Sequence, residues 1–195
     1  MAPKTSEQFE EIRETKKALI MDTALELFAN EGYHPISISK IAKEAGIAKG
    51  LLYNYFESKE DLLLTIMTKG LEDMIAVFDP DNDGVLTEEE MDNFITEIFS
   101  MIKDNHNYWK LYYAVFLQPK VHELLSEKFE ELYKKMVEML IVYYESHGVK
   151  NPEQEALLFG ALLDGLAFNY IMNPNMFPID GLIQSLKEKF CYIKN

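Results

Sequence analysis

Apolar positions recur along this chain three and four residues apart, the spacing of a helix face, and no segment alternates long enough to be a strand. From about Ser6 to Asn30, Ile12, Leu19, Ile20, Thr23, Leu27 and Phe28 form one stripe, which Glu31-Gly32 brings to an end. Gly32 to Ile36 is a connector, because Pro35 prevents a helix across it. Ile38, Ile41, Ala42 and Ala45 then share a face, with Ser37 placed to cap its start and Gly46 to stop it after about two turns. A second short helix is expected from Lys49 to about Tyr55, before Phe56-Glu57-Ser58-Lys59 turns the chain into a third. That third starts on Ser58 with acidic residues in its first turn. It runs through Leu62, Leu63, Ile66, Met67, Leu71, Met74, Ile75 and Phe78, and nothing in it reads as a flexible linker. Further helices are expected at about Thr87–Lys103, His106–Phe116, Val121–Glu145, Pro152–Met172 and Ile179–Tyr192. Breaks separate them at Asp104-Asn105, Pro119, His147-Gly148, Asn151-Pro152 and Asn173-Pro174. The expectation is an all-α chain of about nine helices in two domains, 1–58 and 59–195, sharing a stiff connecting helix.

Two short helices around a glycine corner have the layout of a helix-turn-helix, and the second has the length that fits a DNA major groove. The stretch IAKEAGIAKGLLYNYFESKEDLL, preceded by ALELFANEGYHPISISKIA, resembles the DNA-binding segment of TetR-type transcriptional repressors. Phe28, Gly32, Ile41-Ala42, Ala45-Gly46, Tyr53, Phe56, Lys59 and Leu62 stand at that family's spacing. The likeness is strong over about the first third of the chain and extends to the rest only in helical layout.

On chemistry alone, Ala48, Lys49, Gly50, Leu51, Tyr53, Asn54 and Tyr55 would face DNA in part. Lys49 can reach a phosphate or a guanine edge, Asn54 a base edge or phosphate, and Tyr53 and Tyr55 phosphates or thymine methyls. Gly50 lets the backbone come close to the duplex. The resemblance implies Ser37, Lys49, Tyr53 and Lys59 as contacts. It also shows departures, since Ala48 and Leu51 stand where the family often has Ser or Thr, and Ile36 replaces a common Thr. These changes remove polar contacts, and Ala48 leaves the recognition helix without its usual cap.

The resemblance implies a dimeric, ligand-responsive regulator, a repressor in the first instance. It would place Lys49–Tyr55 of each subunit in successive major grooves of a pseudo-palindromic operator. An effector bound in the C-terminal domain would tilt the Lys59–Phe78 helix and change the spacing of the two recognition helices. A three-helix unit with no DNA role is the alternative.

A second pattern lies outside that resemblance. Asp79, Asp81, Asp83, Gly84 and Glu90 fit the full calcium-loop pattern of an EF-hand, D-x-D-x-D-G followed five residues later by Glu. Alternate aspartates converge on one point, the glycine makes the sharp turn, and Val85 offers its carbonyl. Thr87 would give a direct or water-mediated oxygen, and Glu90 a bidentate carboxylate. The competing reading is a polar inter-helix loop in which Thr87 and Glu90 form a capping box, T-x-x-E. A calcium-binding protein with a vestigial helix-turn-helix, or calcium modulating a regulator, are the corresponding functional alternatives.

Trp109, Tyr112, Tyr113 and Phe116, with Met136, Met139, Tyr143 and Phe168, suit an apolar, adaptable pocket, and the resemblance places the family's ligand site among these helices. At helical spacing they also suit plain core. A hydrophobic or aromatic effector is the reading drawn from their number. The small residues Gly160, Ala161, Gly165 and Ala167 in the 152–173 helix, with the amphipathic helix at 179–192, correspond to the family's four-helix homodimer interface. Intrachain core is the alternative there.

The formal charge of -14 argues against a nucleic-acid partner at first sight. Between Ser37 and Lys59, however, Lys40, Lys43, Lys49 and Lys59 outweigh Glu44 and Glu57, so the acidity lies mostly elsewhere. The single Cys191 excludes an internal disulfide framework and fits a reducing cytosol. Met1 to Arg13 holds no signal-peptide apolar region, and no apolar run approaches the roughly 18 residues of a membrane span. A cytoplasmic protein with no membrane partner is expected. His34, His106, His122 and His147 show no metal-ligand spacing, and no nucleophile elbow, P-loop or dinucleotide fingerprint is present, so an enzyme is not expected.

Overall fold

The computed structural model describes residues 6–191. Among them are nine helices and no strand: α1 (Ser6–Glu31), α2 (Ile38–Glu44), α3 (Lys49–Leu52), α4 (Lys59–Phe78), α5 (Glu88–Asp104), α6 (His106–Phe116), α7 (Pro119–Ser146), α8 (Pro152–Met172) and α9 (Ile179–Phe190). Tyr192, expected at the end of α9, lies outside the described residues. Most expected boundaries agree to within a residue or two. Two differ for identifiable reasons. Pro119 was expected as a break and is instead the first residue of α7, where its missing N–H costs nothing and its fixed φ suits the first turn. The recognition helix α3 stops at Leu52, and residues 53–55 form a tightened turn.

The chain divides into two compact units, one of residues up to Lys69 with Ala114–Leu124, the other of Gly70–Tyr113 with the chain from Leu125 onward. The first therefore extends past the expected 1–58 in two places. It takes in eleven more residues of α4 and also the α6–α7 corner.

In the first unit, Ile20, Ala24, Leu25 and Phe28 of α1 are buried with Ile38, Ile41 and Ala42 of α2, Leu52, Phe56, and Leu62, Leu63, Ile66 and Met67 of α4. Each fully buried Leu, Ile, Met or Phe side chain among them contributes about 1.5–3 kcal/mol. The α1 stripe is rotated from the expected one. Leu19 is exposed and Leu27 half-buried, whereas Met21, Ala24 and Leu25 are buried. Periodicity counted the leucines and passed over Ala24, whose small side chain is what a close helix contact needs.

The second unit is built on aromatic packing. Phe78 meets Phe94 of α5 edge-on at 4.9 Å, Phe94 lies 6.5 Å from Phe159 of α8, and Phe159 packs against Phe190 of α9 at 5.3 Å. Polar ties surround this core. Lys187 donates to Asp92 at 2.7 Å, Lys103 pairs with Asp180, and His147 Nε2 lies 3.0 Å from Glu88 Oε1. Gly70 of α4 admits the Tyr112 ring so closely that a Cβ there would lie 2.4 Å from Cε2.

Helix α8 is apolar on both sides. Ala156, Phe159, Leu163, Ala167 and Ile171 are buried, while Leu157, Leu158, Leu162, Phe168 and Met172 are exposed. By length and composition it is apolar enough to cross a membrane, which corrects the expectation that no stretch comes near. Glu153, Glu155 and Asp164 interrupt any unbroken apolar run, and this concealed the helix's overall character.

Candidate nucleic-acid interface

The backbone of α2 is fixed by a cap at each end. Ser37 Oγ accepts from the Lys40 N–H at 3.2 Å, the N-cap bond expected of it. At the other end Gly46 has φ +65°, the Ile47 N–H reaches the Ala42 carbonyl at 2.9 Å, and the Gly46 N–H reaches Lys43 at 3.1 Å. Those two bonds are a Schellman closure, and they aim the chain into α3. Ala48 sits in the extended conformation of an N-cap without a side-chain bond to offer, as the departure from the family pattern implied. After Leu52 the N–H groups of Asn54 and Tyr55 bond three residues back, at 3.1 and 2.9 Å, and this tightening ends the helix early.

Ser37, Ala48, Lys49, Gly50, Tyr53 and Asn54 are exposed around this corner, and Leu51 and Tyr55 are half-buried. The Lys49 ammonium lies 5.9 Å from the Tyr53 ring centre, so the two side chains offer a cation and an aromatic hydroxyl together. Lys40 is paired with Glu31. Lys59 is placed differently from the rest. Its ammonium donates to the carbonyls of Tyr33 (2.9 Å), His34 (3.2 Å) and Ile36 (2.9 Å), and lies 4.2 Å over the Tyr33 ring. Desolvation holds its pKa below the ordinary lysine value, against the opposing pull of Glu60.

Gln118 escaped the sequence reading altogether. Its Oε1 accepts from the Tyr33 N–H at 2.9 Å and its Nε2 donates to the Phe28 carbonyl at 2.9 Å. Both partners are backbone groups, 85 and 90 residues away, so no side-chain pattern announces them.

In the second unit the carboxylates of Asp79, Asp81 and Asp83 come within 4.8 Å of one another. Asn82 (φ 57°) and Gly84 (φ 78°) supply the left-handed turns this needs. Asp79 is buried, accepts from the Gly84 N–H at 3.4 Å and is paired with Lys135 at 3.3 Å. Val85 donates its N–H to Asp83 at 2.7 Å. The capping box is fully formed: Glu90 Oε2 accepts from the Thr87 N–H (2.8 Å) and hydroxyl (2.7 Å), and Thr87 Oγ1 accepts from the Glu90 N–H (3.2 Å). The converging aspartates and the closed capping box thus stand side by side in one loop.

Of the aromatic set, Trp109, Tyr112, Tyr113 and Phe168 form a chain of ring contacts 5.3, 6.4 and 6.3 Å apart. The Trp109 indole N–H is buried and has no hydrogen-bond partner among the described residues. Burial, with a smaller effect of Asp164, pushes the Tyr113 hydroxyl up to about 12. Tyr143 instead makes a tilted ring contact with His147 at 4.5 Å, and Phe116 belongs to the first unit, where its ring lies 6.3 Å from that of His122. Met139 is buried and Met136 half-buried on α7. An open cleft of about 750 Å³ lies away from this aromatic chain, lined by Leu86, Thr87, Glu88, Glu89, Asp92, Ser146 and His147.

Residues 20–66 match the family described as bacterial regulatory proteins, tetR family. The fatty acid metabolism regulator protein of Bacillus subtilis is 27% identical over 87% of this chain and 90% of its own length. A crystal structure of the regulator FadR from Bacillus subtilis in complex with stearoyl-CoA shares the fold with TM-score 0.70 and 24% identity, covering 91% of this chain and 99% of that one. NalD of Pseudomonas aeruginosa, the secondary repressor of a multidrug efflux pump, shares it with TM-score 0.69 at 18% identity, over 92% and 95%.

Proposed function

We propose, from the premise that this chain is a TetR-type, ligand-responsive transcriptional regulator, that it represses by binding a pseudo-palindromic operator as a cytoplasmic homodimer. The observation that carries this reading is the capped α2–α3 corner with Lys49, Gly50, Tyr53 and Asn54 exposed on it. One short recognition helix reads too few bases, so a two-fold mate is needed, and operator symmetry should mirror it. The outward apolar face of α8 supports the mate, with Leu158, Leu162 and Phe168 on it and the half-buried Leu182 and Ile183 of α9 as further candidates. Lys49 binds phosphate or a guanine edge, Asn54 a base edge, and Tyr53 with Ser37 phosphates.

The effector is a long-chain acyl thioester. The likeness to a fatty acid metabolism regulator supports that class, as do the aromatic residues of α6 and the unpartnered Trp109 N–H, a donor of the kind a thioester carbonyl would satisfy. Fluorescence anisotropy with DNA from upstream of the chain's own gene tests both halves. Salt-sensitive, sequence-selective binding is expected, weakened about 5- to 150-fold by stearoyl-CoA. Absence of selective binding removes the operator reading. Binding that stearoyl-CoA leaves untouched removes the effector class alone.

Convergence of Asp79, Asp81 and Asp83 favours a second reading beside the first, in which the loop also takes calcium. A calorimetric titration of chelator-stripped protein, with Asp79→Ala/Glu90→Gln as control, would then give one site per subunit that the control lacks. No heat and no stabilisation by millimolar calcium would leave a capped turn.

A further inference from the structure

The backbone of Tyr33 is held through both of its polar groups. Gln118 takes its N–H and Lys59 its carbonyl, each at 2.9 Å. Gln118 ties the same point to α1 through Phe28, whose carbonyl already serves the helix-ending N–H of Gly32 at 3.0 Å. An ammonium has three protons, and three carbonyls of the connector take those of Lys59. A glutamine is suited to its half of the grip because one planar amide accepts and donates at once. Glutamate lacks the donor, and leucine lacks both groups.

The two clamping residues come from telling places. Lys59 is the first residue of α4, which runs on past Lys69 into the second unit. Gln118 stands between α6 and α7, both of which continue into the second unit. Its own carbonyl accepts from the N–H groups of Val121 (2.9 Å) and His122 (3.1 Å), so its backbone also starts α7. The clamped connector leads directly to Ser37, the cap of α2, and α2 leads through Gly46 to α3. A displacement of either helix end therefore moves residues 33–36, and with them the DNA-reading corner.

We propose that Lys59 and Gln118 are positioning residues that set the place of the recognition helix through the Tyr33–Ile36 connector, and that Lys59 serves operator affinity without touching phosphate. The proposal rests on the operator-binding reading above. It departs from the family resemblance, which put Lys59 on the DNA.

The full-length protein and its Gln118→Leu, Gln118→Glu and Lys59→Met variants would be titrated with the upstream DNA at several salt concentrations. The expected result is a Kd raised about tenfold in each, with an unchanged slope of log Kd against log salt. Loss of one phosphate contact lowers that slope by about 0.9. A fall of that size in Lys59→Met overturns the positioning role, and so does a Gln118→Leu Kd within twofold of the wild type. Hydrogen exchange guards against simple unfolding. Peptides spanning residues 33–45 should exchange faster in Gln118→Leu while those of α5 and α8 keep their rates, and uniform acceleration overturns the inference. A wild type that binds no operator ends the operator reading. Exchange over 33–45 then decides the clamp alone: faster in the variant upholds it, and unchanged overturns it.

Discussion

Gly70 shows how two small terms of opposite sign are decided by a distance. In an exposed helix interior, replacing glycine by alanine gains about 1 kcal/mol from the unfolded state. Here the new methyl would lie 2.4 Å from the buried Tyr112 ring, and overpacking of this kind costs about 1–3 kcal/mol. Gly70→Ala should therefore lower the urea midpoint; a raised midpoint would show that the ring moves aside freely. Asp164 gives a pH signature. Asp164 is exposed, and desolvation by the protein packed beside it nevertheless holds its carboxyl above the ordinary 3.8, so between that value and the raised one the folded chain holds more proton than the unfolded chain, by an amount that solvent screening keeps small. Its contribution to stability is fullest below the ordinary value and is lost as pH rises through the raised one. Asp164→Asn should flatten that decline, read as a smaller loss of urea midpoint from pH 4 to pH 7 than in the wild type. At this scale sequence was informative wherever the partner is local. The Ser37 cap, the bare Ala48 and the Thr87–Glu90 box could all be read from spacing. Lys59 could not, because its partners are carbonyls 23 to 26 residues away and carbonyls have no sequence.

Among elements, α5 depends most visibly on its start. Three glutamates crowd its first turn, where they favour the helix dipole, and Thr87 closes the box in front of them. Thr87→Ala should cost about 1 kcal/mol, the usual value of a lost N-cap, measured by thermal or urea unfolding. A loss well above that would mean the hydroxyl also holds the 79–86 loop together. Element existence was legible because each long helix has a periodic stripe and a Gly, Pro or Asn break. Rotation about the axis was less so. On α1 the buried arc follows Ile20, Ala24 and Phe28, and a count of large side chains alone points it toward Leu19 and Leu27. Helix α3 came out shorter than its pattern because turn bonds three residues back compete with helical ones after Leu52.

For the molecule as a whole, α8 exposes Leu157, Leu158, Leu162, Phe168 and Met172 together, and Leu162→Glu or Leu158→Glu should break the proposed dimer. Sedimentation would show a monomer, and operator binding should weaken with it, since one half-site alone supports little affinity. A variant that stays dimeric would place the interface elsewhere. The division into two units was readable only in part, since sequence order is continuous and contact is not. The resemblance ended near Leu62, while the first unit takes its last piece from Ala114–Leu124. That discontinuity bears on modularity. A chimera that grafts this DNA reader onto a foreign sensor by cutting after Lys69 would leave the Tyr33 N–H and one bond of the Phe28 carbonyl unanswered, and would lose Val115 and Val121 from the core. Recombination, natural or engineered, succeeds here only where the incoming sensor brings a corner able to do the work of residues 114–124. The reader of this protein is portable as two pieces of chain rather than one.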